Sequence, residues 1–176
     1  MKKEFLSRRT EEAAEDVEDF PSYREDLYEK EGLKEETLQL IVFRLSREWY
    51  GVDISKVKEV IRAGKITYLP SSPDHVAGIV SLRGNILPVA DLKTVFGLPH
   101  DELTDKQRII AIESGILEVG FWVDEVVESI EVPVSKIEPA LVTIPSEGSK
   151  YIGGQCKVGE KLIALISVEK ILEKRV

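Results

Sequence analysis

Gly78-Ile79-Val80-Ser81-Leu82-Arg83-Gly84-Asn85-Ile86-Leu87-Pro88-Val89-Ala90-Asp91-Leu92 is the stretch whose reading decides the rest of this chain. Two apolar, β-branched runs flank Gly84-Asn85. Both of those residues tolerate positive φ, so the pair reads as a two-residue hairpin turn with Arg83 at the hairpin's base. Pro88 has no N–H to give to a ladder, which predicts an edge strand or a neighbouring bulge. An arginine beside an exposed strand can serve a partner, because its planar fork binds carboxylates and carbonyls in a fixed orientation. The same arginine can cap carbonyls or pair with an acidic neighbour, and the residues alone leave that choice open. Asp91 then caps a short helix over Leu92–Phe96, with Gly97 as a left-handed stop and Pro99 preventing continuation.

Outward from the hairpin, the texture is that of many short strands. Leu38–Leu45 and Trp49–Ile54 are β-branched and aromatic and should pair. Further strands are expected at Glu59–Ala63, Ile66–Tyr68, Arg108–Glu113, Ile116–Val123, Ser129–Val132, Tyr151–Lys157 and Lys161–Ile166. Their nearly regular spacing suggests a barrel or sandwich, not alternating βα units. Ser72 is expected to cap a turn that starts at Pro73 and ends at Gly78. Ser167 is expected to cap a last helix from Val168 to about Lys174, with Glu169 in its first turn and Lys174 and Arg175 in its last. Gly153-Gly154 reads as a bulge or tight bend, Gly97–Lys106 as a polar loop between two halves, and no internal repeat is visible.

Composition excludes several functions. The chain has 176 residues, 43% hydrophobic and 32% charged, the balance of one soluble globular domain. No apolar run approaches the roughly 18 residues of a membrane helix, and the first residues lead into acidic side chains, so neither a span nor a secretory signal is expected. Cys156 is the one cysteine, which rules out an internal disulfide and a multi-cysteine metal site. A net charge of −8 argues against nucleic acid as the main partner. Residues 1–36 hold 13 acidic and 7 basic residues and few β-branched ones. They read as an acidic, mobile, partly helical arm, with one possible helical stripe of Phe20, Tyr23, Leu27 and Tyr28, ahead of a domain over 37–176.

Groups able to do chemistry are sparse. There is no phosphate-cradling glycine loop and no dinucleotide fingerprint. His75 and His100 are the only histidines; neither has a partner at metal-ligand spacing, and both read as surface residues. Ser81, His75 and Asp91 could form a triad on paper, but Ser81 lies within a strand and has no nucleophile elbow around it. Asp124 and Glu125 are neighbours whose side chains diverge on a strand, so they read as a solvated turn. With no cofactor motif and no catalytic constellation, a compact β domain reads as a binding module.

Several motifs in one order resemble a known family. SLRGNILPVADL (81–92) resembles the asparagine-leucine-arginine-glycine hairpin signature of CheW-type coupling proteins, with Ser81 in the asparagine's place. WYGVDISKVKEVI (49–61) resembles that family's tyrosine-glycine-isoleucine-aspartate strand and the valine-glutamate turn after it. ITYLPSSPDHVAGIV (66–80) resembles its approach to the hairpin. RIIAIESGILEVGFWVDEVVES (108–129) and YIGGQCKVGEKLIALISVEKIL (151–172) resemble its second strand pair and its closing hairpin and helix, with Ile166-Ser167 where leucine-aspartate is usual. The resemblance spans residues 38–174 and leaves the arm outside. It implies a mainly β fold of two intertwined five-stranded SH3-like barrels with short helices and a C-terminal helix. It also implies a non-enzymatic, cytoplasmic adaptor without cofactors, which binds chemoreceptor cytoplasmic tips and the regulatory domain of a CheA-type histidine kinase. Carried over by position, Arg83 and Gly84, with Ser81 and Asn85 beside them, belong to the receptor-coupling hairpin, and Val57 and Glu59 to the receptor-facing groove. The competing readings are the same fold in another kinase or motility pathway, a small hydrolase using His75, and a nucleic-acid-binding barrel that the acidic balance opposes.

Overall fold

The computed structural model describes residues 35–140 and 147–174. The expected arm, with its aromatic stripe, lies outside the described residues except for Glu35 and Glu36. Ten strands run β1 (Thr37–Leu45), β2 (Glu48–Asp53), β3 (Val57–Arg62), β4 (Val76–Leu82), β5 (Asn85–Asp91), β6 (Arg108–Ser114), β7 (Leu117–Val123), β8 (Glu125–Pro133), β9 (Ile152–Val158) and β10 (Lys161–Ile166). Among the described residues, two short helices, α1 (Leu92–Phe96) and α2 (Val168–Leu172), follow β5 and β10.

The strands form two five-stranded sheets, ordered β8-β1-β2-β10-β9 and β3-β6-β7-β5-β4. Each curls so that its two edge strands share one apolar interior. In the first, Ile130 of β8 and Cys156 of β9 lie in the same buried cluster, and Glu138 bridges to Gln155. In the second, Ile61 of β3 packs with Val80 of β4, and Thr67 bridges to Ile79. These are barrels 1 and 2. A third, larger cluster lies between them. It holds Phe43, Tyr50, Ile112 and Phe121 from the strands and Leu92, Phe96, Val168 and Ile171 from the two helices. Burying each of these large side chains contributes about 1.5–3 kcal/mol, so the seam between the barrels is as much a core as either interior.

The chain repeats one unit twice, which no sequence period revealed. Hairpin, single strand, hairpin and helix (β1 to α1) are followed by the same set (β6 to α2). Each barrel takes the first hairpin of one half and the single strand and second hairpin of the other, so the halves are interwoven. The registers repeat as well. Gly51 lies opposite Val42 and beside Leu165, and Gly120 lies opposite Ala111 and beside Val89. A Cβ on Gly51 would meet Leu165, Ile163 and Leu40; on Gly120 it would meet Val89, Leu87 and Ile109, the same three places in the unit. The bulges repeat too, at Lys58 in β3 and at Val127 in β8.

Several local expectations are corrected. The hairpin turn is Arg83-Gly84, one residue earlier than expected, because Leu82 pairs with Asn85. Pro88 lies on an interior strand, between β4 and β7, not at an edge, but the expected neighbouring bulge is present, at Ala77 opposite Val89 and Ala90; the proline is tolerated because the β5–β7 ladder starts only at Val89. The Ser72 segment forms no helix. Its hydroxyl donates to the Leu69 carbonyl at 2.8 Å, and a single turn from Val76 N–H to Pro73 O leads straight into β4. Ile66–Tyr68 contributes a single bridge, not a strand. Strand β8 runs the full length of Glu125–Pro133, with only a bend at Asp124 ahead of it. Ser167 makes no side-chain cap; its N–H goes to the Tyr151 carbonyl at 2.8 Å, and α2 stops at Leu172. The Asp91 cap, the left-handed Gly97 and the bulge at Gly153 match the sequence reading.

Candidate functional site

The β4–β5 turn has positive φ at both central residues, 52° at Arg83 and 84° at Gly84, the signature of a type I′ hairpin. Glycine adopts that conformation freely; arginine does so at a cost. The side chain earns no burial in return, since it is 78% exposed. Its ion pair among the described residues, Nη2 to Glu59 Oε2 at 3.0 Å, reaches across the mouth of barrel 2 to β3. A pair this exposed contributes about 0.2–1 kcal/mol, which leaves the guanidinium available to an incoming group.

Val57 and Glu59 flank the bulge at Lys58 and are both half-buried. Val57 packs on the central cluster, and Lys58 pairs with Glu118 of β7 at 3.0 Å. Ser81 and Asn85 are exposed at the hairpin base and start of β5. The fold therefore links the two groups singled out from sequence through the Arg83–Glu59 pair: Val57 and Glu59 lie on one edge strand, and Ser81, Arg83, Gly84 and Asn85 on the hairpin at the other edge. The curl of barrel 2 joins these edges. Beside them lie a polar recess lined by Ser55, Lys56, Lys58 and Glu113 and an exposed apolar residue, Ile86. Lys58, Glu118 and Ile86 were not singled out, because only the closed barrel shows that they share one rim.

The residues weighed for catalysis do not assemble. His75 is buried at 6% exposure, against the surface position expected, and its carbonyl accepts the Asp91 N–H at 2.8 Å. The Asp91 carboxylate serves α1 instead, accepting from Lys93 N–H at 2.9 Å and from the Thr94 hydroxyl at 3.0 Å, and it lies 2.6 Å from His100 Nε2. Ser81 stays on the exposed hairpin face. Asp124 is not a solvated turn residue. It accepts the Ser46 N–H at 2.6 Å and pairs with the buried Lys93 ammonium at 2.8 Å, while Glu125 pairs with Arg44. Burial opposes the charge on Lys93, but the carboxylates of Asp124 and Asp101 outweigh it and hold the ammonium above the ordinary lysine value. This cluster braces α1 against the β7–β8 bend. Burial also pushes the Cys156 thiol up to about 11.

Comparison with known proteins agrees with the geometry. The family model of the CheW-like domain matches residues 39–176. The chain is 32% identical over 137 residues to the chemotaxis protein CheW of Klebsiella aerogenes, covering 76% of this chain and 81% of that protein. It is 32% identical over 136 residues to the chemotaxis protein CheW of Bacillus subtilis, covering 77% and 87%. Among solved structures, the scaffolding protein TtCheW of Thermoanaerobacter tengcongensis superposes with a TM-score of 0.70 at 34% identity, over 76% of this chain and 90% of that one.

Proposed function

The chain belongs to the family of CheW-like domains and is a chemotaxis adaptor, and from that premise we propose that it couples the cytoplasmic tip of a chemoreceptor to the regulatory domain of a CheA-type histidine kinase. The receptor contact uses the rim of barrel 2, where Arg83 and Gly84 with Ser81 and Asn85 meet Val57 and Glu59. The observation that carries this reading is Arg83: a strained backbone position and an exposed, weakly paired side chain. Folding alone favours a different residue there, so the guanidinium is explained by what it binds. No bond chemistry is involved. The adaptor acts through binding energy, and its contacts must differ between receptor states for a receptor's bias to reach the kinase. The protein then resides in the cytoplasm at receptor arrays, held by protein contacts; among the described residues no helix is long and apolar enough to cross a membrane.

Calorimetric titration tests the assignment directly. The full chain should form a saturable one-to-one complex with the regulatory domain of the CheA-type kinase from its own source, and deletion of residues 1–36 should leave that complex intact. Arg83→Glu should weaken binding to the receptor's cytoplasmic fragment at least tenfold with the fold unchanged. A folded Arg83→Glu protein that binds receptor as tightly as the original would refute the placement at this rim.

A further inference from the structure

The duplicated unit supplies an internal control for surface chemistry, because every position at one barrel's rim has a counterpart at the other. At the tip of the β6–β7 hairpin, Ile116 is fully exposed at 101% and Leu117 is 54% exposed. Next to that hairpin runs β5, whose parallel ladder with β7 starts at Val89 and Gly120. Three residues earlier on the two strands are Ile86, 71% exposed, and Leu117. Val89 faces the interior, and an odd spacing reverses the face, so Ile86 and Leu117 both point outward at one level of the barrel. The counterparts in barrel 1 are Leu162 for Ile86, Glu48 for Leu117 and Arg47 for Ile116. They follow from the ladder that pairs Ile163 with Trp49. Barrel 1 thus interrupts the same surface with a charge pair of residues, whereas barrel 2 leaves it apolar.

Exposed aliphatic side chains gathered at a loop tip cost solubility and give the fold nothing, so they point to a partner. Three side chains fall well short of the ~800 Å² per partner that stable association takes, which argues against self-association through this patch alone. The patch is continuous with the rim already described. Arg83 and Gly84 directly precede β5, and the starts of β3, β5 and β7, which carry Glu59, Ile86 and Leu117, lie at the same end of barrel 2. We infer that the receptor-binding surface of this chain extends from Arg83 and Glu59 over that end of barrel 2 onto Ile86, Leu117 and Ile116, and that it takes a receptor segment presenting an apolar ridge with a carboxylate beside it. The inference rests on the receptor assignment of the Arg83 rim. The ridge covers the three aliphatic side chains, and the carboxylate meets the Arg83 guanidinium.

The test transplants barrel 1's residues onto barrel 2 by the double substitution Ile116→Arg and Leu117→Glu. Both side chains are exposed, so the fold should survive, and circular dichroism verifies it. Titration is carried out against the cytoplasmic fragment of a chemoreceptor from the same source and, separately, against the kinase regulatory domain. The double variant should lose receptor-fragment affinity at least tenfold and keep kinase affinity, whereas Leu162→Glu in barrel 1 should leave receptor binding unchanged. Unchanged receptor binding in the double variant overturns the extension, as does any loss of kinase binding. Arg83→Glu run in parallel separates the two claims. If Arg83→Glu weakens receptor binding and the double variant does not, the patch alone is wrong; if Arg83→Glu has no effect, the rim itself is misassigned.

Discussion

At the scale of single residues, the site and the scaffold are separable. Arg83 occupies the first place of a two-residue turn that asparagine fills best, since Asn-Gly suits two successive positive-φ residues. Arg83→Asn removes an exposed ion pair of about 0.2–1 kcal/mol and relieves backbone strain of about 1 kcal/mol. The expected outcome is a midpoint of chemical denaturation at or above that of the original protein, together with loss of receptor binding. Lys93 is the opposite case. It is 5% exposed and answers Asp124, which is itself largely buried. Lys93→Met strands that carboxylate and should cost about 2 kcal/mol, toward the low end of what breaking a buried pair costs. Adding Asp124→Asn should restore much of it, because asparagine keeps an acceptor for the Ser46 N–H. Equal stability of the single and double variants in a denaturant titration would argue against this account. Nothing in the local pattern marked Lys93 as buried. Its partner is 31 residues away along the chain, and only the packing of α1 against the β7–β8 bend brings them together.

At the scale of elements, the strands were legible because β-branched alternation acts locally, and most missed boundaries follow from pairing. The Arg83-Gly84 turn was set one residue late because Gly-Asn and Arg-Gly are both acceptable pairs; the register Leu82–Asn85 decides between them. The short helices depend on tertiary ties. Lys56, in the 3-10 turn Ile54–Lys56 after β2, pairs with Glu169 of α2 at 2.8 Å. Hydrogen bonding to Lys56 lowers the Glu169 carboxyl below its ordinary 4.5, and the same bond raises Lys56 above its ordinary 10.5. A lowered acid contributes stability that is present above its ordinary value and lost as pH falls through the lowered one; a raised base contributes stability lost as pH rises through its raised value. The tie is therefore complete between about pH 5 and pH 10. Glu169→Gln should lower the melting temperature slightly at pH 7 and leave it unchanged in acid where the carboxyl is already protonated, so the acid limb flattens by that same small amount. An acid limb as steep in the variant as in the original would show that other carboxylates control it.

At the scale of the whole molecule, interweaving makes each barrel dependent on both halves of the chain. Neither half can complete a barrel, and the cluster at the seam draws on both, so unfolding should be a single cooperative event. Two tryptophans report on it separately: Trp49 packs against barrel 1's interior and Trp122 against barrel 2's. In Trp49→Phe and Trp122→Phe variants, the remaining fluorophore should trace denaturation curves that coincide with circular dichroism on the same sample. Trp122 Nε1 is buried and finds no hydrogen-bond partner among the described residues, so its replacement should be cheap. Distinct midpoints for the two probes would mean that the barrels unfold independently.

What the sequence determined by itself was the strand content, the Asp91 cap and Gly97 stop, the bulge at Gly153-Gly154, the poverty of catalytic groups and, through ordered motifs, the family. These are local or compositional properties, carried by side-chain type and by the backbone freedom of glycine and proline. Only the tertiary structure decided the rest: the burial of His75, the Lys93–Asp124 brace, the interior position of Pro88 and the repeat of one unit. It also decided that Glu59 and Arg83, 24 residues apart, share a rim with Ile86 and Leu117. Closure of a barrel joins opposite edges of a sheet, and that neighbourhood depends on pairing partners that no single segment encodes.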